Sequence, residues 1–187
     1  MNIIFLDVDG VLNCSADFGK TEPTYAKWTV IEPSKLERIL LLQKEFDAKI
    51  VLSSSWRNTE AGQKELNAVG INWVSVTPEG GTRASQINAW LLENEFEGNF
   101  VVIDDDSSPE EHLKLQDKFV KTKFSEGFQD QHLELARKIL SKGKWFWSED
   151  PNEQLFESDV ACLDYWISEG VSIEKLNGDE GYIQQSP

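Results

Sequence analysis

Asp7-Val8-Asp9-Gly10 sets two carboxylates two residues apart, directly after the apolar run Ile3-Ile4-Phe5-Leu6. Ser53-Ser54-Ser55 follows a second apolar run, Ile50-Val51-Leu52, and Asp104-Asp105-Asp106 follows a third, Phe100-Val101-Val102-Ile103. Carboxylates brought within a few ångströms of one another repel, and they cannot all stay ionised without compensation. A hard divalent cation resolves the conflict. Oxygen ligands alone favour magnesium, which keeps several waters and completes its shell with substrate phosphate. A carboxylate beside such an ion can attack phosphorus to form an aspartyl-phosphate. A second acid two residues on can protonate the leaving oxygen and afterwards activate water. Each signal is weak when taken singly, since Asp, Gly and Ser are common turn residues. Three of them in this order, each at the end of a buried run, make the pattern.

For those groups to meet, the runs must lie side by side and point the same way. Short continuous apolar runs suit strands covered on both faces of a parallel sheet. Their carboxyl ends then share one edge, where open α/β sheets bind ligands. Helical patterns take turns with the runs. Ser34 and Glu37 fit a capping box ahead of Leu36, Ile39, Leu40 and Phe46. A weaker helix is expected over residues 60–69, closed by Gly70. Residues 85–96 predict a helix with Ile87, Trp90 and Leu91 on one side, and another helix runs through His132 to Leu140. Residues 72–76 and 119–124 read as further strands, and the polar, Pro-containing stretch 13–33 as loop or small hairpin. The alternation predicts an α/β fold with a mostly parallel sheet.

The 187 residues suit one domain, or a domain with a small appendage, and 40% hydrophobic residues are enough for a core. Eighteen basic against thirty-three acidic residues give a net charge of −15. That balance argues against non-specific binding of polyanions, which needs a basic surface. Residues 148–187 hold ten acids against the single base Lys175, and so nine of the fifteen excess negative charges. The same stretch carries Tyr165, Trp166 and other apolar residues, and a docked helix is expected over 160–167, with a solvated acidic extension as the alternative. Cys14 and Cys162 form neither a disulfide framework nor a CxxC pair, which suits a reduced, cytoplasmic setting. The opening apolar run is short and lacks a basic leader, and no run approaches the roughly 20 residues of a membrane span. A soluble protein is expected. His112 and His132 each stand alone, without a second ligand at metal spacing, and read as surface residues.

The segment Phe5-Leu6-Asp7-Val8-Asp9-Gly10-Val11-Leu12 resembles the first motif of the haloacid dehalogenase (HAD) superfamily of aspartate-nucleophile phosphohydrolases. Ile50-Val51-Leu52-Ser53-Ser54 is similar to its second motif, and Val101-Val102-Ile103-Asp104-Asp105 to its fourth. The resemblance covers residues 1–140 and implies a three-layer Rossmann-like fold. It implies Asp7 as nucleophile and magnesium ligand. Asp9 would be the general acid and base, with its backbone carbonyl on the metal. An Asp at this second position resembles the superfamily's phosphatases. Ser54 would hydrogen-bond the transferring phosphoryl group, with Ser53 as the alternative, and Gly10 would help to bind it. Asp105 would be the main metal ligand of the fourth motif, supported by Asp104. The third motif needs a lone Lys or Arg. Arg83, just before the helix that precedes the Asp104 strand, is the expected residue, and Arg57, expected to help bind substrate, is its rival.

Leu52-Ser53-Ser54-Ser55-Trp56-Arg57, Thr82-Arg83 and Val102-Ile103-Asp104-Asp105-Asp106 together resemble a small branch of the superfamily. That branch includes the HAD domains of "Swiss Army Knife" RNA-repair proteins. The resemblance implies a HAD-like catalytic domain over residues 1–142; beyond it, the composition predicts an acidic extension over 143–187, containing Trp145, Trp147 and Trp166 and docked on the domain. The gaps between motifs leave room for a short flap with Phe18, Tyr25 and Trp28, and for no large cap domain. The expected reaction is magnesium-dependent hydrolysis of a phosphorylated small molecule or a nucleic-acid phosphate end. A HAD-fold phosphate-binding module without turnover, and a phosphotransferase to an acceptor other than water, are the alternatives.

Overall fold

The continuous apolar runs become parallel strands because both of their faces are covered. The computed structural model describes residues 1–17, 31–142, 145–147, 155, 165–169, 177–178 and 181–185. Its strands β1 (Asn2–Leu6), β2 (Ala48–Leu52), β3 (Trp73–Val76), β4 (Asn99–Asp104) and β5 (Phe119–Lys121) form one sheet in the order β3-β2-β1-β4-β5. Every pairing in that sheet is parallel. Side chains alternate between its faces. Ile4, Leu6, Ile50, Leu52, Val101 and Ile103 join one core, with residues of α1 (Pro33–Glu45), α2 (Glu60–Ala68) and α5 (Asp130–Ser141). Ile3, Phe5, Val51 and Val102 join the opposite core, with Ala84, Ile87 and Trp90 of α3 (Arg83–Glu93). A single turn, α4 (Ser108–Glu111), lies between β4 and β5. The result is a three-layer, Rossmann-like α/β fold, and no large cap is present among the described residues. Strand order reverses between β1 and β4, which makes the crevice beyond their carboxyl ends the topological switch point.

Several boundaries move for local reasons. Helix α1 starts at Pro33 rather than Ser34, and Glu32 caps it by accepting from the Lys35 N–H at 3.1 Å. Proline suits the first helical position because its missing N–H would have had no helical partner. Helix α3 starts two residues before the expected Ser85, since Thr82 Oγ1 accepts from the Ser85 N–H at 3.2 Å. It stops at Glu93, short of the expected 96, and Glu95 then takes a positive φ of 47°. Strand β5 keeps only three of the six expected residues. It gives way at Thr122, whose hydroxyl donates to the Gly10 carbonyl at 2.7 Å.

The chain divides into two units, Met1–Leu140 and Ser141–Pro187. In the second, β6 (Trp145–Trp147) and β7 (Asn177–Gly178) both pair antiparallel with β8 (Gly181–Gln185). Residues 165–168 are helical, and the rest of the helix expected over 160–167 lies outside the described residues. Phe18, Tyr25, Trp28 and Cys162 also lie outside them. Among the described residues, no helix is long and apolar enough to cross a membrane.

Candidate active site

Register brings the motif ends into one row. Leu6 of β1 stands opposite both Leu52 of β2 and Ile103 of β4, so Asp7, Ser53 and Asp104 follow at the same level. The Asp7 N–H continues the ladder to the Ile103 carbonyl at 3.1 Å, and the Ser53 N–H reaches the Leu6 carbonyl at 3.0 Å. Strand alternation puts Asp7 on the same face as Phe5, and Asp104 on that of Val102. That face is covered by α3, whose first residue is Arg83.

Arg83 straddles the two acids. One guanidinium nitrogen, Nη2, lies 3.2 Å from Asp7 Oδ1, and Nε lies 2.7 Å from Asp104 Oδ2. The second contact is an ion pair whose alignment gives neither atom a good hydrogen bond, so the buried Asp104 Oδ2 keeps unused acceptor capacity. Burial raises the Asp7 carboxyl above the ordinary range, opposed by Arg83, by a hydrogen bond from the Ser54 hydroxyl and by the Val8 N–H. Burial also raises Asp104, and the negative charge of Asp7 pushes it further in the same direction. Two acids so placed need more positive charge than one arginine supplies.

Asp105 completes the cluster. One ligand oxygen from each of Asp7, Asp104 and Asp105 can be chosen so that all three lie within 4.8 Å of one another. An all-carboxylate set with an unsatisfied buried oxygen fits a hard divalent cation of the magnesium type. Gly10 makes room for Asp105. It has a φ of 73°, and a Cβ there would overlap the Asp105 carboxylate.

Asp9 turns the other way. Its Oδ1 accepts from Asn13 Nδ2 at 2.8 Å and its Oδ2 from the Trp56 indole N–H at 3.0 Å. Asn13 Oδ1 in turn accepts from the Gly10 N–H at 3.2 Å, which closes the loop after β1 on itself. Ser54 caps the 3₁₀ turn Ser55–Asn58 and bonds Asp7. The Ser53 hydroxyl is fully buried, with no hydrogen-bond partner. Arg57 is spent on backbone. Its Nη1 donates to the carbonyls of Ser53 and Ser54, each at 2.6 Å, and its Nη2 to Gln86 Oε1 at 3.1 Å. Of the two arginines, Arg83 is the one that touches Asp7.

Trp56, Asn13 and Thr122 also belong to this edge, with no catalytic signature in the sequence to mark them. An indole four residues past a strand and a side-chain amide six past Asp7 carry no catalytic signal of their own. The position of Thr122 became meaningful only once β5 lay beside β4. His112 and His132 are half-buried rather than on the surface. Cys14 is buried, its Sγ donating to Asp17 Oδ2 at 3.0 Å, and burial together with that bond raises its pKa. Such a thiol is unreactive.

A family model described as "HAD domain in Swiss Army Knife RNA repair proteins" matches residues 3–133. No curated protein and no solved structure matches the chain.

Proposed function

This chain belongs to that family of HAD domains, within the HAD-type hydrolase superfamily, and we propose that it is a magnesium-dependent phosphomonoesterase working through an aspartyl-phosphate. The observation that carries the reading is Asp7, buried at the switch point with ligand oxygens of Asp104 and Asp105 within 4.8 Å and with Arg83 at 3.2 Å. Asp7, Asp104 and Asp105 would hold the metal, with the Asp9 carbonyl as a further ligand. Magnesium, when bound, supplies positive charge that screens the acids from the incoming phosphate.

The remaining steps belong to side chains. An Asp7 oxygen attacks phosphorus, and the bond from phosphorus to the leaving oxygen breaks as that oxygen takes a proton from the Asp9 carboxyl. Asp9, now a carboxylate, takes a proton from water. The water oxygen attacks phosphorus, the bond from Asp7 to phosphorus breaks, and inorganic phosphate leaves with Asp7 restored. Arg83 and the Ser54 hydroxyl stabilise the charge spread over the transferring oxygens. The substrate is a phosphorylated small molecule or the phosphate end of a nucleic acid, the latter favoured by the family's association with RNA repair.

The test is phosphate release from nucleotides, small phosphomonoesters and 3′- and 5′-phosphorylated oligonucleotides, with magnesium or with EDTA. Release requires magnesium, and Asp7→Asn lowers it by about 10⁴-fold or more. Folded protein that binds magnesium and releases phosphate from no substrate would instead be the binding module.

A further inference from the structure

An acid that must give a proton in one step and take one in the next has to be aimed, because proton transfer requires hydrogen-bond reach to the atom concerned. A carboxylate on a turn, half-exposed as Asp9 is, has free rotation about two bonds unless something holds it. Both of its oxygens are held. Asn13 comes from the same loop and is 2% exposed, and Trp56 comes from the turn after β2 and is 9% exposed. Each donates to a different oxygen of Asp9, at 2.8 and 3.0 Å. An ionised carboxylate offers about four acceptor positions, so two remain open for the proton and the leaving oxygen.

The indole is itself fixed. The Trp56 N–H of the backbone donates to Ser54 Oγ at 3.4 Å, and Ser54 bonds Asp7. Trp56 packs its ring in the core of the α1, α2 and α5 face. The turn that presents Ser54 to the nucleophile therefore also presents the indole to the acid, and the spacing of two residues between Ser54 and Trp56 couples the two placements.

We propose that Trp56 is a positioning residue for Asp9: its indole N–H, with the Asn13 amide opposite, orients the Asp9 carboxyl toward the leaving oxygen. The role rests on the phosphatase reading, since it presumes that Asp9 protonates a leaving group. It predicts that losing the N–H hurts most where the leaving oxygen needs a proton most. An alkoxide departs poorly without one, whereas p-nitrophenolate departs without help.

The experiment compares kcat/KM for a nucleoside monophosphate and for p-nitrophenyl phosphate, with magnesium, in wild-type, Trp56→Phe and Asp9→Asn proteins. The Phe variant keeps a ring and removes only the donor. The expected result is a loss of about tenfold or more on the nucleotide and less than about twofold on p-nitrophenyl phosphate, with Asp9→Asn showing the same selectivity more strongly. An equal loss on both substrates, or none on either, overturns the role. Wild-type protein that releases phosphate from neither substrate overturns the phosphatase reading, and the role with it. Should Trp56→Phe not fold, the indole N–H signals of the folded Asp9→Asn protein decide. One of the seven tryptophan signals moves if the contact is made, and a spectrum unchanged from wild type overturns the proposal.

Discussion

Gly10 stands in the left-handed region, with a φ of 73°, directly beneath the Asp105 carboxylate. A non-glycine residue held in that region costs on the order of 1–3 kcal/mol, and here a methyl group would also displace the Asp105 carboxylate, a proposed metal ligand. Gly80 has a φ of 91° with nothing within 4 Å, so it carries the first cost without the second. Both Gly10→Ala and Gly80→Ala should therefore lower the thermal midpoint of the metal-free protein. Magnesium should raise the midpoint of Gly80→Ala as it does that of wild type, and that rise should disappear in Gly10→Ala. Thermal melts with and without the ion make the comparison. The presence of Gly10 was legible beside Asp9. Its partner was not, because Asp105 is 95 positions away and reaches it only through the pairing of β1 with β4.

Two helices are fixed by polar contacts, one buried and one half-buried. Lys35 of α1 donates to Asp17 Oδ2 at 2.8 Å, with side chains only 5% and 7% exposed, and so fastens the segment after β1 to that helix. Removing one member of such a pair strands a buried charge. Lys35→Met should cost about 3–5 kcal/mol in urea unfolding, and adding Asp17→Asn should recover a large part of it. At the start of α5, the Gln129 N–H donates to His132 Nδ1 at 2.9 Å, which requires a lone pair on that nitrogen. Phe128 stacks on the ring, and burial lowers its pKa, with Lys123 acting in the same sense and Glu126 against. The unfolded ring takes a proton below about pH 6.5 while the folded ring stays neutral. The stability due to neutral His132 is thus complete above that pH and is lost as pH falls toward the folded value. Unfolding free energies measured between pH 7 and 5 should fall less steeply in His132→Gln than in wild type.

The whole chain is strongly acidic, with a net charge of −15. Polynucleotide affinity that grows with length requires a basic track to neutralise successive phosphates. The proposed hydrolysis of nucleic-acid ends should then depend on the terminal nucleotides alone. Above a few nucleotides, kcat/KM for phosphorylated oligonucleotides should be flat with length, and it should change little between roughly 50 and 200 mM salt. A steep rise with length that collapses in salt would show that a local basic track exists. The second unit was poorly legible at this scale. Its helix was expected over 160–167, but the strands Trp145–Trp147 and Gly181–Gln185 pair across some forty residues, and nothing in either segment names the other.

What the amino-acid order determined by itself was local: where the apolar stretch of each central strand lies, that Asp7 and Ser53 follow their strands while Asp104 closes β4, and that helices alternate with them. Those signals lie within a few residues of each other, where apolar periodicity and turn chemistry act. Which side chains would face one another was decided by the tertiary structure. Arg83 was the expected third-motif residue along the chain and Arg57 its rival. The pleat then put Asp7 and Asp104 on the α3 face, at Arg83, while Arg57 turned to the carbonyls of its own turn. Trp56 became a partner of Asp9 in the same way, whereas Asn13 meets it within their shared loop. Strand order and register fix such meetings, and they arise from contacts between segments tens of residues apart.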